Sequence, residues 1–190
     1  LNRYYAYGIR NGFGLDFDPV TGNLWDTENG PGYGDEINLV EPGFNSGYKK
    51  IQGFWERINY THHGPYLDNI PENKLVDFDG KGKYSHPEFA WSTAAGVTAI
   101  KFLDSDKYGK EYQNDLFVAT IVPNGDIYHF DLNKDRNGLD LSKPLDDKIA
   151  DTYEELSDVT FASNFGLISD MAIGPDGYLY IVSHSNGEIY

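Results

Sequence analysis

Residues 14–30, GLDFDPVTGNLWDTENG, and residues 170–187, DMAIGPDGYLYIVSHSNG, spell one unit twice. A small or acidic residue precedes an apolar pair, Asp-Pro or Gly-Pro leads into a tight turn, and a Leu-aromatic step opens a second strand that ends near Gly. Residues 115–132, DLFVATIVPNGDIYHFDL, form a related hairpin. Side chains alternate between apolar and polar with a period of two, the signature of strands with opposite faces in different surroundings. The linkers DPVTGN (18–23), VPNGD (122–126), GPDGY (174–178) and HSNGE (184–188) place Gly after Thr, Asn or Asp, where a tight hairpin needs positive φ.

Further short apolar runs lie at 23–28, 36–41 and 97–103, and only 104–114 and 151–158 offer a helical turn. Repeated hairpins with loops of variable length are the pattern of a β-propeller, which uses roughly 40 to 50 residues and four strands per blade. The expected fold is all-β: a partial propeller domain of about three blades of four-stranded antiparallel sheets across 190 residues. Residues 53–89 read as a long polar loop insertion over one face. Three blades do not close a ring, and their free edges invite pairing. A further N-terminal half or another copy is therefore expected to complete the structure. The start, LNRYYAYG, has neither initiator Met nor signal peptide, as in a processed product, an expression product or a fragment.

Composition narrows the function. Fifteen Tyr, eleven Phe and three Trp argue for a packed core, while 15 basic against 30 acidic residues give a net charge of −15. Such a surface repels nucleic acid and anionic lipid, and no apolar run reaches the roughly 18 residues that span a bilayer. The absence of cysteine excludes disulfides, thiolate catalysis and thiolate metal sites.

Residues 7–48 hold nine glycines, six carboxylates before Glu41 and one arginine, Arg10. YGIRNGFGLDFDPVTG (7–22), TENGPGYGDEINLVEPGFNSGY (27–48), PEFAW (87–91) and GPDGYLYIVS (174–183) together resemble the C-terminal half of the glucose/sorbosone dehydrogenase family. The resemblance implies a six-bladed propeller that uses pyrroloquinoline quinone (PQQ) and calcium to oxidise an aldose at C1 by hydride transfer to the quinone. It implies that Arg10 and Asn11 meet the quinone, that the Gly30 and Pro31 carbonyls hold the cofactor's calcium, and that Glu36 serves a second, structural calcium. Carbonyl and carboxylate oxygens suit a hard cation, and a guanidinium suits an anion beside it. A secreted, periplasmic-like or extracellular location is implied too. The catalytic base belongs to the N-terminal half, so no catalytic residue is assigned to this chain and the piece alone is expected to be inactive.

The sequence departs from the family where it matters for a trianionic cofactor. The family's lysine falls near Thr120 to Val122, its two arginines on Leu167 and Ser169, its glutamine after Arg-Asn on Phe13, and Asn29 precedes Gly-Pro. The alternative is a non-catalytic propeller with a degenerate PQQ site that binds carbohydrate or protein. Arg10 also has a structural reading, as partner of Asp16, Glu28 or Asp35, and Glu28, Asp35 and Glu36 one as turn acids.

Other motifs are weaker. His62 and His63 are adjacent and point apart on an extended strand, so they read as exposed loop residues. His86, His129 and His184 read as structural or surface residues. Asp131, Asn133 and Asp135 begin a calcium-loop spacing that fails at Arg136 and Ser142, leaving an inter-blade turn. Asn59 to Thr61, NYT, forms a glycosylation sequon.

Overall fold

A computed structural model describes residues 3–68 and 75–190; residues 69–74, within the expected insertion, lie outside the described residues. The expected turns are there: Gly22, Gly125, Gly177 and Gly187 all take positive φ, between +67° and +84°. They close hairpins at the four places where the sequence predicts them.

Three blade-like sheets follow one another along the chain. In the first, β2 (Gly12–Phe17), β3 (Leu24–Glu28) and β4 (Asp35–Val40) form an antiparallel meander. β10 (Phe89–Trp91) extends it antiparallel to β4, and β14 (Ile149–Ala150) adds a parallel edge. The second sheet is β11 (Val97–Phe102), β12 (Leu116–Thr120), β13 (Ile127–Phe130) and β15 (Thr160–Ala162), antiparallel throughout. The third is β16 (Ile168–Ile173), β17 (Leu179–Ser183) and β18 (Glu188–Ile189). The blades therefore carry five, four and three strands rather than a uniform four.

Segments 104–114 and 151–158, where alone a helical turn was expected, contain 3₁₀ turns at Lys110–Tyr112 and Glu154–Val159, and a further one at Leu145–Asp147 lies outside them. The stretch read as a loop excursion is partly stranded. β6 (Ile51–Gln52), β7 (Trp55–Arg57) and β8 (His63–Tyr66) make a small antiparallel sheet. β1 (Ala6–Tyr7), β5 (Phe44–Asn45) and β9 (Lys83–Tyr84) make a parallel one.

The second blade is buried on both faces. Leu116 and Val118 of β12 point into one core with Trp25, Ile37 and Trp91 of the first blade, and Phe117 and Ala119 into another with Met171, Leu179 and Ile181 of the third. The period of two thus sends alternate residues to different cores. β11 lies against β2 on one side and β16 on the other. At the ends of this stack, one apolar face of each outer blade stays open: Phe13, Leu15 and Phe17 are 61–63% exposed on β2, and Tyr180 and Val182 are exposed on β17.

Arg136 locks the first blade to the loop after β13. Its Nε and one terminal nitrogen donate to the two oxygens of buried Asp18 at 2.8 and 2.9 Å, and it also donates to the Asn114 carbonyl. Burial pushes the Asp18 carboxyl up, but the bonds from Arg136, Thr21 and Val20 outweigh it and hold Asp18 below its ordinary value. Removing one partner of a buried pair leaves a stranded charge, so Arg136→Ala is expected to lose about 3–5 kcal/mol in urea denaturation at pH 7. Because the folded-state value is depressed, the Asp18 contribution is present above the ordinary carboxyl range and lost on acidification. The gap between wild type and Arg136→Ala should therefore narrow as the pH falls towards 3.

Candidate functional site

The glycine-rich stretch folds back on itself at the end of the first blade. A side chain at Gly30 would collide with the Tyr33 carbonyl, so only glycine fits this reversal. Three contacts fix the loop. Asp35 accepts the Gly30 N–H on Oδ1 at 2.8 Å and the Gly96 N–H on Oδ2 at 2.6 Å, and Asn29 Nδ2 donates to the Val97 carbonyl at 2.6 Å. The loop is thus pinned to the start of the second blade. Asp35 is a buried strand residue rather than a turn acid.

Arg10 sits against this loop without a carboxylate ion pair among the described residues. One terminal nitrogen donates to the carbonyls of Asn29 and Gly30 at 2.6 and 3.0 Å, while its backbone N–H donates to Glu28 Oε1 at 2.7 Å. Asp16, an alternative partner, faces Lys101 instead, at 3.5 Å. Asn11 is exposed and its carbonyl accepts the Asn29 N–H, and Pro31 is half-buried. Arg10, Asn11 and Gly30 are therefore neighbours, and the Gly30 carbonyl already accepts a guanidinium hydrogen.

Behind the loop lies a ladder of buried acids. The register sets Glu28 opposite Glu36 and Asp26 opposite Asn38, and the period of two brings all four to one face. Ser46, just after β5, and Gln52 of β6 join them. Glu36 accepts from Gly53 N–H at 2.5 Å and Gln52 Nε2 at 3.1 Å on Oε1, and from Asn38 Nδ2 at 3.2 Å on Oε2. The Ser46 hydroxyl lies 2.8 Å from Glu28 Oε2 and 3.4 Å from Glu36 Oε2, but has one proton to give. Asp26 Oδ1, Asn38 Oδ1 and Gln52 Oε1 are buried acceptors with no donor among the described residues.

The electrostatics follow from that shortage. Burial pushes Asp26 up to about 6, and burial with the nearby Asp26 charge pushes Glu28 up to about 7 against the bonds from Arg10 and Ser46. Glu36 is raised well above the ordinary carboxyl value, by burial first and by Glu28 second. Of these residues the sequence had singled out Glu36, with Glu28 only as a possible Arg10 partner or turn acid. Asp26, Asn38, Ser46 and Gln52 were missed, because their convergence depends on a covering segment that no strand pattern announces.

The hairpin of β6 to β8 flanks the loop. The Tyr33 hydroxyl donates to the Asn59 carbonyl at 3.3 Å, His63 lies edge-on to Tyr33, and Arg57 lies over the Tyr60 ring. His62 and His63 are separately engaged, by Thr61 and by the Gly64 carbonyl. The positions where a basic clamp was sought are uncharged in the structure too. Thr120 is buried with its hydroxyl on the Val122 carbonyl, Leu167 is exposed, and Ser169 bonds the Val182 carbonyl.

The family model for glucose/sorbosone dehydrogenase matches residues 1–190. The chain belongs to this family. It is 32% identical over 186 residues to the aldose sugar dehydrogenase YliI of Escherichia coli, covering 97% of this chain and 42% of that protein. To quinoprotein glucose dehydrogenase B of Acinetobacter calcoaceticus it is 23% identical over 228 residues, covering 44% of that protein. The crystal structure of the apo soluble aldose sugar dehydrogenase from E. coli superposes with a TM-score of 0.63 at 27% identity, covering 93% of this chain and 42% of that one. The PQQ-bound aldose sugar dehydrogenase of Streptomyces coelicolor shares the fold, with a TM-score of 0.56 at 19% identity. The sheets are thus blades of the family's β-propeller. The chain spans about two fifths of the length of these relatives.

The raised acids set a pH dependence. A carboxyl raised in the folded state stabilises fully below its unfolded value near 4, and that contribution is lost as pH rises through the folded value. In chelator-treated protein, the unfolding free energy should fall between about pH 4 and pH 7. Glu28→Gln should flatten the part of the curve near pH 7, as followed by urea denaturation across that range.

Proposed function

We propose that the intact protein is an aldose sugar dehydrogenase-type oxidoreductase, and that this chain supplies the calcium-holding edge of its site rather than the reacting groups. The observation that carries the reading is the Glu28–Glu36 ladder, flanked by oxygens of Asp26, Asn38 and Gln52 that have no donor among the described residues, lying behind the Arg10–Gly30 loop of a chain that matches the family over its whole length. Calcium fits the ladder. Its ligands are oxygens, carboxylate and amide carbonyl, and a divalent charge would compensate acids that protein donors leave underserved. Glu36 and Glu28 would hold it, with the amide oxygens of Asn38 and Gln52 as further ligands. The cation's role there is structural: it keeps β3, β4 and the β5–β6 segment together behind the loop.

For PQQ, the residues of this chain do not suffice. Three carboxylates face one guanidinium that already serves two carbonyls, and Thr120, Leu167 and Ser169 bring no charge. These residues alone therefore support no step through the quinone. Arg10 and Asn11 would form one side of the cofactor site, with Gly30 and Pro31 turning their carbonyls to its calcium only after Arg10 releases Gly30. The rest of the polypeptide would supply the other cations, the general base and the blades that cover the open faces of β2 and β17. Aldose oxidation at C1 and a place outside the cytoplasm belong to this reading. Among the described residues no helix is long and apolar enough to cross a membrane.

The uncharged clamp positions favour a second reading, a propeller of the same family that binds carbohydrate or protein without catalysis. Calorimetric titration of PQQ into the intact protein, with and without calcium, separates the two. Calcium-dependent binding weakened about tenfold or more by Arg10→Ala, from loss of a charge-assisted contact, together with aldose oxidation through an artificial acceptor, supports the dehydrogenase. Absence of PQQ binding leaves the binding module. Independently, calcium should raise the melting temperature of wild type and not of Glu36→Gln.

A further inference from the structure

The second blade carries a separate constellation at its outer end. β12 and β13 pair with Leu116 opposite Phe130 and Phe117 opposite His129, a register that sets Asp115 opposite Asp131. His129 is on β13, and Asp131 and Asp115 lie one residue beyond the paired strand ends, so with the register continued all three side chains share one face. Two carboxylates placed directly across an antiparallel pair repel each other. Here they are close enough to contact through their oxygens, and the described residues place no lysine or arginine in an ion pair with either. What lies between them is the imidazole: Nε2 is 3.1 Å from Asp115 Oδ2 and 3.8 Å from Asp131 Oδ1. A proton on Nε2 can serve one carboxylate well, whereas an ion at that point serves both.

We propose that Asp115, His129 and Asp131 bind a divalent transition-metal ion of the zinc or manganese class. One ligand atom from each lies within 4.8 Å of the others, the convergence a small ion requires. The imidazole is held by ring contacts, with Tyr112 at 4.9 Å and Phe117 at 5.1 Å between centroids, so its ligand nitrogen is fixed in place. A cavity of about 140 Å³ opens beside it, with Asp140, Glu155 and Asp158 as well as Lys143 and apolar side chains in its lining. It has room for water or a further carboxylate to complete the coordination shell. The donor set selects the ion: one nitrogen with two carboxylates suits zinc, manganese, cobalt or nickel, while calcium and magnesium prefer oxygen alone. The EF-hand spacing at 131–142 fails, but its first residue, Asp131, acts across the strand pair instead of along the loop. The site lies in a different blade from the calcium ladder and does not depend on sugar oxidation.

The test is calorimetric titration of zinc and of manganese, each as the metal alone, into chelator-treated intact protein, alongside Asp131→Asn, His129→Gln and Glu36→Gln. The Asp131 side chain is 64% exposed, so Asp131→Asn should fold, which its melting curve will verify. One equivalent of zinc is expected to bind, weakened about tenfold or more by Asp131→Asn and by His129→Gln but unchanged by Glu36→Gln, and one equivalent of manganese is expected in the Glu36→Gln protein, where the oxygen ladder no longer competes for it. Absence of saturable binding by either metal overturns the site. So does binding that the folded Asp131→Asn protein retains at full strength, which would place the metal elsewhere, His62 and His63 included.

Discussion

A sheet that must bury both of its faces governs this chain. The second blade has no wet side: every residue of β12 is buried, and alternate positions serve different cores. That requirement brings β2 to one side of β11 and β16 to the other, and with them the loop that Asp35 and Asn29 fasten to Gly96 and Val97. The geometry around Arg10 is therefore inherited from core packing. A change in the blade-to-blade distance would be felt first at those two fasteners.

The strands and their turns were legible because their causes are local. Alternation marks a pleated strand, and a glycine after Thr, Asn or Asp marks a hairpin, so 14–30, 115–132 and 170–187 could be read without knowing what they touch. The number of strands in each blade was not. β10 and β14 join the first sheet from 49 residues beyond β4 and farther, and their short apolar runs do not announce a partner.

The acid ladder was hidden for a related reason. LWDTE and DEINLV alternate as half-wet strands would, and Asp26, Glu28 and Glu36 look like their solvent face. The segment carrying Ser46, Gln52 and Gly53 covers that face, so the polar side of an ordinary hairpin becomes interior. Local pattern reports which side is polar but not what lies over it. His129 was hidden in the same way, since its two carboxylates meet only once the register of β12 and β13 is known.

The clamp between Arg136 and Asp18 spans 118 residues of sequence. At synthesis rates of about 5–20 residues per second, the ribosome needs roughly 6–24 s to deliver the arginine after the aspartate has emerged. Over that interval the first hairpin can form, because its own contacts are near in sequence, but sealing its end would strand an uncompensated charge. The blade that carries Asp18 would therefore stay open to water there until the loop after β13 has been made. The order in which the blades close is written into the distance between two side chains.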